Sequence, residues 1–136
     1  MPSSVRWLGA LVLLAVGTAL AAGATLWLQT RSDTRTQAEA MTGGSVDAGH
    51  AAIVRYGCGA CHDIPGVAGA TGRTGPALAG IANRAQIAGV LVNDPRHMRA
   101  WLRSPQTVLR GNGMPDQGVT PKDAVDMAAY LYTLKN

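Results

Sequence analysis

From Leu8 to Leu28 the chain carries 21 residues without a charge. Such a run leaves few folds open, because away from water a backbone must satisfy its own polar groups, and a single apolar segment does so as a helix. At 1.5 Å per residue it would extend about 31 Å, close to a bilayer core of about 30 Å. Arg6 precedes the run and Arg31 follows it, while Trp7 and Trp27 mark the ends, where amphipathic rings favour the interface. The expectation is a transmembrane anchor over residues 1–28. A cleaved signal peptide competes, with an apolar stretch from Leu8 to Val16 and small-residue sites at Ala19-Leu20-Ala21 and Ala22-Gly23-Ala24. Cleavage there would strand Leu26-Trp27-Leu28 at a new terminus, which favours an uncleaved anchor. Charge does not orient it, since Arg6 on one side faces Arg31 and Arg35 on the other.

Residues 29–45 are Thr, Ala, Gly, Ser and scattered charge without an apolar period, and read as a flexible linker. Thr36 to Met41 would also tolerate a helix. Residues 46–136 then hold a small all-α domain. Asp47 offers an N-cap for a helix to Tyr56, which Gly57 ends. Asp94 caps a middle helix with Pro95 at its first position, stopping before Pro105. Thr120, Pro121 and Asp123 open a last helix to about Leu134. A domain of about 90 residues is small for a self-sufficient core.

Between the first two of these helices lies Cys58-Gly59-Ala60-Cys61-His62. Two thiols two residues apart, followed at once by an imidazole, is the spacing that attaches a c-type haem. Each thiol adds across one vinyl group, and the adjacent His becomes the proximal iron ligand. A thioredoxin-type disulfide or half of a zinc site would use the same C-x-x-C pair. These are the only two cysteines in 136 residues, and the remaining histidines, His50 and His97, stand far apart in sequence. The flanks are rich in Gly and Ala and lack the β-branched runs of a βαβ unit. Haem accounts best for the motif, and it would supply the apolar mass the small domain lacks.

A haem carrier with both axial positions filled needs a second ligand, and a Met thioether in that place raises the potential. Met1 and Met41 precede the domain, whereas Met98 and Met127 fall in helical patterns and suit core packing. Met114 stands in the loop Arg110-Gly111-Asn112-Gly113-Met114-Pro115-Asp116, stiffened by Pro115 and 52 residues after His62. It is the candidate sixth ligand.

On these residues the region from Val46 to Asn136 resembles a class I cytochrome c, over roughly two-thirds of the chain. Gly75-Pro76-Ala77-Leu78, the Met114-Pro115 pair and Ala129-Tyr130-Leu131 match in order and spacing. Ile64-Pro65-Gly66-Val67 and Trp101-Leu102 through Pro105-Gln106 look most like the small cytochromes attached to bacterial respiratory oxidases. The resemblance implies that the Pro76 carbonyl accepts a hydrogen bond from the ring of His62, fixing its tautomer. It also implies that Arg84 and Trp101 donate to the haem propionates, although Trp101 serves equally as core and Arg84 as an exposed side chain. Tyr130, Tyr132 and Ile53 suit helix packing better than an electron path.

Arg96, Arg99 and Arg103 share one face of the middle helix, and Met98, Trp101 and Leu102 lie elsewhere on it. Nine Lys or Arg against six acids from Val46 onward suit docking on an acidic partner, though a surplus of three also fits an ordinary solvated face. No dense basic run points to nucleic acid. The expectation is a membrane-anchored, single-electron carrier without bond chemistry or a small-molecule substrate. It would sit single-pass in a bacterial inner membrane, haem domain on the periplasmic side, delivering electrons to a haem-copper terminal oxidase. A cytochrome subunit of a periplasmic dehydrogenase is the near alternative. A haem enzyme or gas sensor with an open iron position, and an interaction module holding a structural disulfide, are the distant ones.

Overall fold

The computed structural model describes residues 3–135. They divide into two compact units, one reaching to Thr34 and one starting at Arg35. Helix α1, Ser3–Thr42, begins in the first unit and ends in the second. In the first unit all side chains from Ser4 to Asp33 are exposed, Trp7 and Leu13 by 72% and 74%. Among the described residues α1 is the one helix long and apolar enough to cross a membrane. Its hydroxyls are turned inward: those of Thr18, Thr25 and Thr30 donate to the carbonyls of Leu14, Ala21 and Leu26 at 3.0, 2.8 and 2.9 Å. That removes the cost of bare donors on an apolar helix.

Residues 29–45, expected as a flexible linker, are instead helical through Thr42, so the second unit starts 11 residues before the expected boundary at 46. Ala38 and Thr42 are buried in that unit, and the Thr42 hydroxyl donates to Ala38 O at 2.7 Å. Arg35 grips Asp47 with two bonds, at 2.8 and 2.6 Å, and Glu39 accepts from Val46 N at 2.9 Å. About two turns of helix with only the small Ala38 and Thr42 buried leave no apolar period to read. Gly43, in the left-handed region at φ 75°, then ends the helix.

Helix α2, Val46–Arg55, is capped by Ser45 and not by Asp47, which lies in its first turn and pairs with Arg35. Helix α5, Pro121–Leu131, packs across it. Ile53 and Met127 are each 1% exposed and Ala128 is fully buried in the core this pair builds. Each large apolar side chain so enclosed contributes about 1.5–3 kcal/mol. Gly49 permits the crossing, since an added Cβ would fall on the backbone of Asp126 and 3.0 Å from Tyr130 Cβ. Asp126, 5% exposed, accepts from Ser45 N at 2.9 Å and from Lys122 Nζ at 2.6 Å. Burial acts most strongly on its carboxyl, pushing upward, yet these two bonds outweigh it and hold the group below the usual range.

Helix α3, Pro95–Arg103, begins as the sequence predicts: Asp94 accepts from His97 N at 2.8 Å and Pro95 takes the first position. Met98 and Leu102 are buried while Arg96 and Arg103 are exposed. A single turn, α4, Pro105–Val108, follows. Helix α5 starts on the expected Thr120 cap but stops at Leu131, short of Leu134. Past it the chain tightens into a turn, Leu134 N to Leu131 O at 3.1 Å, and Leu134 O takes Ala82 N at 3.1 Å. The helical domain also contains one small hairpin, β1, Gln86–Ile87, against β2, Leu91–Val92, antiparallel with Gln86 opposite Val92.

Candidate haem site

Helix α2 ends on Gly57, whose φ of 68° turns the chain into a short 3₁₀ coil over Cys58–Ala60. Cys61 N and His62 N both return to Cys58 O, at 3.2 and 3.0 Å, which winds the thiols and the imidazole into one tight turn. A second stretch, residues 72–78, is stitched onto that turn. Gly72 N donates to Gly59 O at 3.1 Å, Gly75 N to Cys61 O at 2.8 Å and Leu78 N to Asp63 O at 2.8 Å. At Gly75 an added Cβ would lie on the His62 ring, 2.7 Å from Nδ1. Only glycine lets the backbone lie against the imidazole.

Because a carbonyl can only accept, the 2.7 Å contact between His62 Nδ1 and Pro76 O puts the proton on Nδ1. Nε2 keeps its lone pair, as a metal ligand requires. Burial pushes the Cys58 thiol up from its ordinary value, and a thiol kept protonated is a poor attacking group. Both cysteines are free thiols.

Cys58, Cys61, His62, Pro76, Arg84, Trp101 and Met114 all line one cavity of about 410 Å³. The expected core methionines, Met98 and Met127, line it as well, with Ile53, Ile64 and Leu131. Arg84 lies at its exposed margin, where Nη2 donates to the carbonyls of Ala77 and Ala79 at 2.5 and 3.1 Å. Trp101 is half-buried in the wall. Tyr130 and Tyr132 are buried in the core beside it, donating to Pro65 O at 2.6 Å and Asn93 Oδ1 at 2.8 Å. Burial, assisted by the charge of Asp94, raises Tyr132 to about 12.

The donor set fits a c-type haem: two thiols, an imidazole with a free nitrogen, a thioether and apolar walls meet in one cavity. Sequence reasoning missed three residues of this site. Tyr56 lines the wall and hands its hydroxyl to Asp123 Oδ2 at 2.8 Å. Gln106 and Asn112 brace the Met114 loop, with Gln106 Nε2 donating to Met114 O at 2.8 Å and Met114 N donating to Asn112 Oδ1 at 2.7 Å. Asn112, set between Gly111 and Gly113, is the one of these that a turn rule could have marked.

Comparison with known proteins agrees with the cavity. The cytochrome c family model matches residues 20–135. The cytochrome c oxidase subunit 2 of Alkalihalophilus pseudofirmus is 37% identical over 79 residues, covering 57% of this chain and 22% of that protein. The cytochrome c oxidase subunit 2 of Bacillus sp. strain PS3 is 34% identical over 88 residues, covering 62% of this chain and 25% of that protein. The chain therefore spans a quarter or less of these relatives' length. No solved structure matches it. With a family match over most of its length and a cavity that gathers the motif residues, the chain belongs to the cytochrome c family, and is an electron-carrying cytochrome.

Proposed function

We propose that this protein is a membrane-anchored monohaem cytochrome c that carries single electrons to a terminal oxidase. The observation that supports it most directly is the meeting of Cys58, Cys61, His62 and Met114 in one cavity. Cys58 and Cys61 would hold the haem covalently, and His62 Nε2 and Met114 Sδ would fill the two axial positions. A bound haem c supplies a one-electron Fe(III)/Fe(II) couple. Pro76 fixes the His62 tautomer, Met98 and Met127 exclude water, and Arg84 and Trp101 are the donors available for the propionates. With an imidazole and a thioether from the chain both available to hold the iron, the reading favours transfer over catalysis.

The anchor reading rests on Leu8–Leu28 and the length of α1. The oxidase reading rests on the two relatives' names. A periplasmic position for the domain follows from where covalent haem is installed in bacteria. A pyridine haemochrome assay on the detergent-purified chain, with the spectrum of Met114→Ala beside it, tests the haem and its ligands together. One covalent haem per chain is expected, and the ferric Met charge-transfer band should vanish in the variant. Ready carbon monoxide binding by the native reduced protein, with an unaltered Met114→Ala spectrum, would refute the ligand pair and favour an enzyme or gas sensor. Mass spectrometry of co-purifying proteins identifies the acceptor; dehydrogenase subunits in place of oxidase subunits would redirect the partner assignment.

A further inference from the structure

The loop that carries Met114 has no regular structure of its own. It follows the single turn of α4 and contains Gly111, at φ 80°, and Gly113, with open space around both. A stretch this permissive would scatter a side chain over many positions. Two amide side chains prevent that. Asn112 donates through Nδ2 to Pro105 O at 2.9 Å and Leu109 O at 2.6 Å, and its Oδ1 accepts from Met114 N at 2.7 Å. Gln106 reaches across from α4: Nε2 donates to Asn112 O at 2.9 Å and Met114 O at 2.8 Å, and Oε1 accepts from Gly111 N at 3.1 Å.

Each amide spends both N–H donors and its carbonyl on bracing this loop or joining it to α4. The two backbone polar groups of Met114 are held from opposite partners, N–H by Asn112 and C=O by Gln106. Both amides tie the loop back to α4, Asn112 from within the loop through Pro105 O and Gln106 from α4 itself, and only Gln106 holds the Met114 carbonyl. The backbone N–H of Gln106 adds a tie at the far end, to Asp116 Oδ1 at 3.1 Å.

We propose that Gln106 is a positioning residue for Met114, holding its loop, together with Asn112, in the one conformation that keeps the thioether in the cavity. The inference rests on the reading of Met114 as an axial ligand. It predicts that Gln106 governs how often the thioether leaves the iron, and not whether haem is attached.

The test is the rate at which imidazole binds the ferric holoprotein, full chain in detergent, since an outside ligand enters only when the Met departs. In Gln106→Leu, losing the three side-chain ties to Asn112 O, Met114 O and Gly111 N should raise that rate about 30-fold, equivalent to about 2 kcal/mol at 1.4 kcal/mol per decade. Covalent haem content and far-UV circular dichroism should match the native protein. Gln106→Glu keeps the side-chain volume and the acceptor but loses both donations, so it should accelerate binding as well and serves where the Leu variant folds poorly. Thr107→Ala, exposed on the same turn, should leave the rate unchanged. A native rate in both Gln106 variants would overturn the proposal, as would an equal rise in Thr107→Ala. A native protein that binds imidazole as fast as Met114→Ala would sink the ligand assignment itself, and the positioning role with it.

Discussion

Gly49→Ala is the substitution whose outcome the packing of α2 on α5 fixes most sharply. Alanine in place of glycine inside a helix ordinarily gains about 1 kcal/mol through a smaller entropy loss. At this position the new methyl would lie 2.6 Å from the carbonyl carbon of Asp126 and 3.0 Å from Tyr130 Cβ. Neither neighbour is the free end of a flexible side chain, so the helices themselves must part. Overpacking of this kind costs about 1–3 kcal/mol, and a backbone obstacle puts it at the upper end. Subtracting the helix gain leaves a net loss of about 2 kcal/mol, or roughly 10 °C in Tm for a domain of this size. Guanidinium denaturation followed by far-UV circular dichroism reads it. Gly57→Ala makes the contrast: open space surrounds that residue, but its φ of 68° costs an alanine about 1–2 kcal/mol of backbone strain. A Gly49→Ala protein as stable as the native one, or more so, would show that the two helices do not approach as closely as described, and the reasoning would fall.

Two further outcomes follow from the same core. Asp126 has its carboxyl held below the ordinary value of 3.8, so the stability it contributes is complete above that pH and is lost as the pH falls through the lowered folded value. Asp126→Asn should therefore flatten the acid limb of the stability curve, and an unchanged acid limb in a pH series of denaturation midpoints would remove Asp126 as its cause. Met127→Ala should cost about 3 kcal/mol by opening a void beside the haem cavity, read as a lowered guanidinium midpoint; a loss under about 1 kcal/mol would mean the cavity wall closes over the gap.

The parts of this molecule that are readable in its sequence are those where chemistry demands a spacing. Thioether attachment would need Cys58, Cys61 and His62 at fixed separations, and a cap needs Asp94 before Pro95 or Thr120 before Pro121; the structure carries these two caps where they were expected, while α2 takes Ser45 in place of Asp47. Pro76 is different, since only resemblance to a family points to its carbonyl, a group every residue owns. Gln106 and Asn112 act through side chain to backbone bonds, which leave no period and can be made from many positions. The final turns of α1 were hidden because Ala38 and Thr42 are small and the polar residues between them resemble a linker. Strands of two residues, as in the Gln86–Val92 hairpin, are too short to alternate.

The α2 and α5 pairing also ties the cavity to both ends of the domain. Ser45 and Asp126 are 81 residues apart in the chain, and Arg55 and Asp123 are 68 apart. Closing loops of that length costs entropy that only the packed pair of helices returns, so this side of the cavity depends on both ends of the domain. Without α5, the cavity has no Met127 or Leu131 to wall it. Cys58 and Cys61 lie immediately after α2, so the turn that carries the thiols hangs on a helix whose packing partner comes from the far end of the domain.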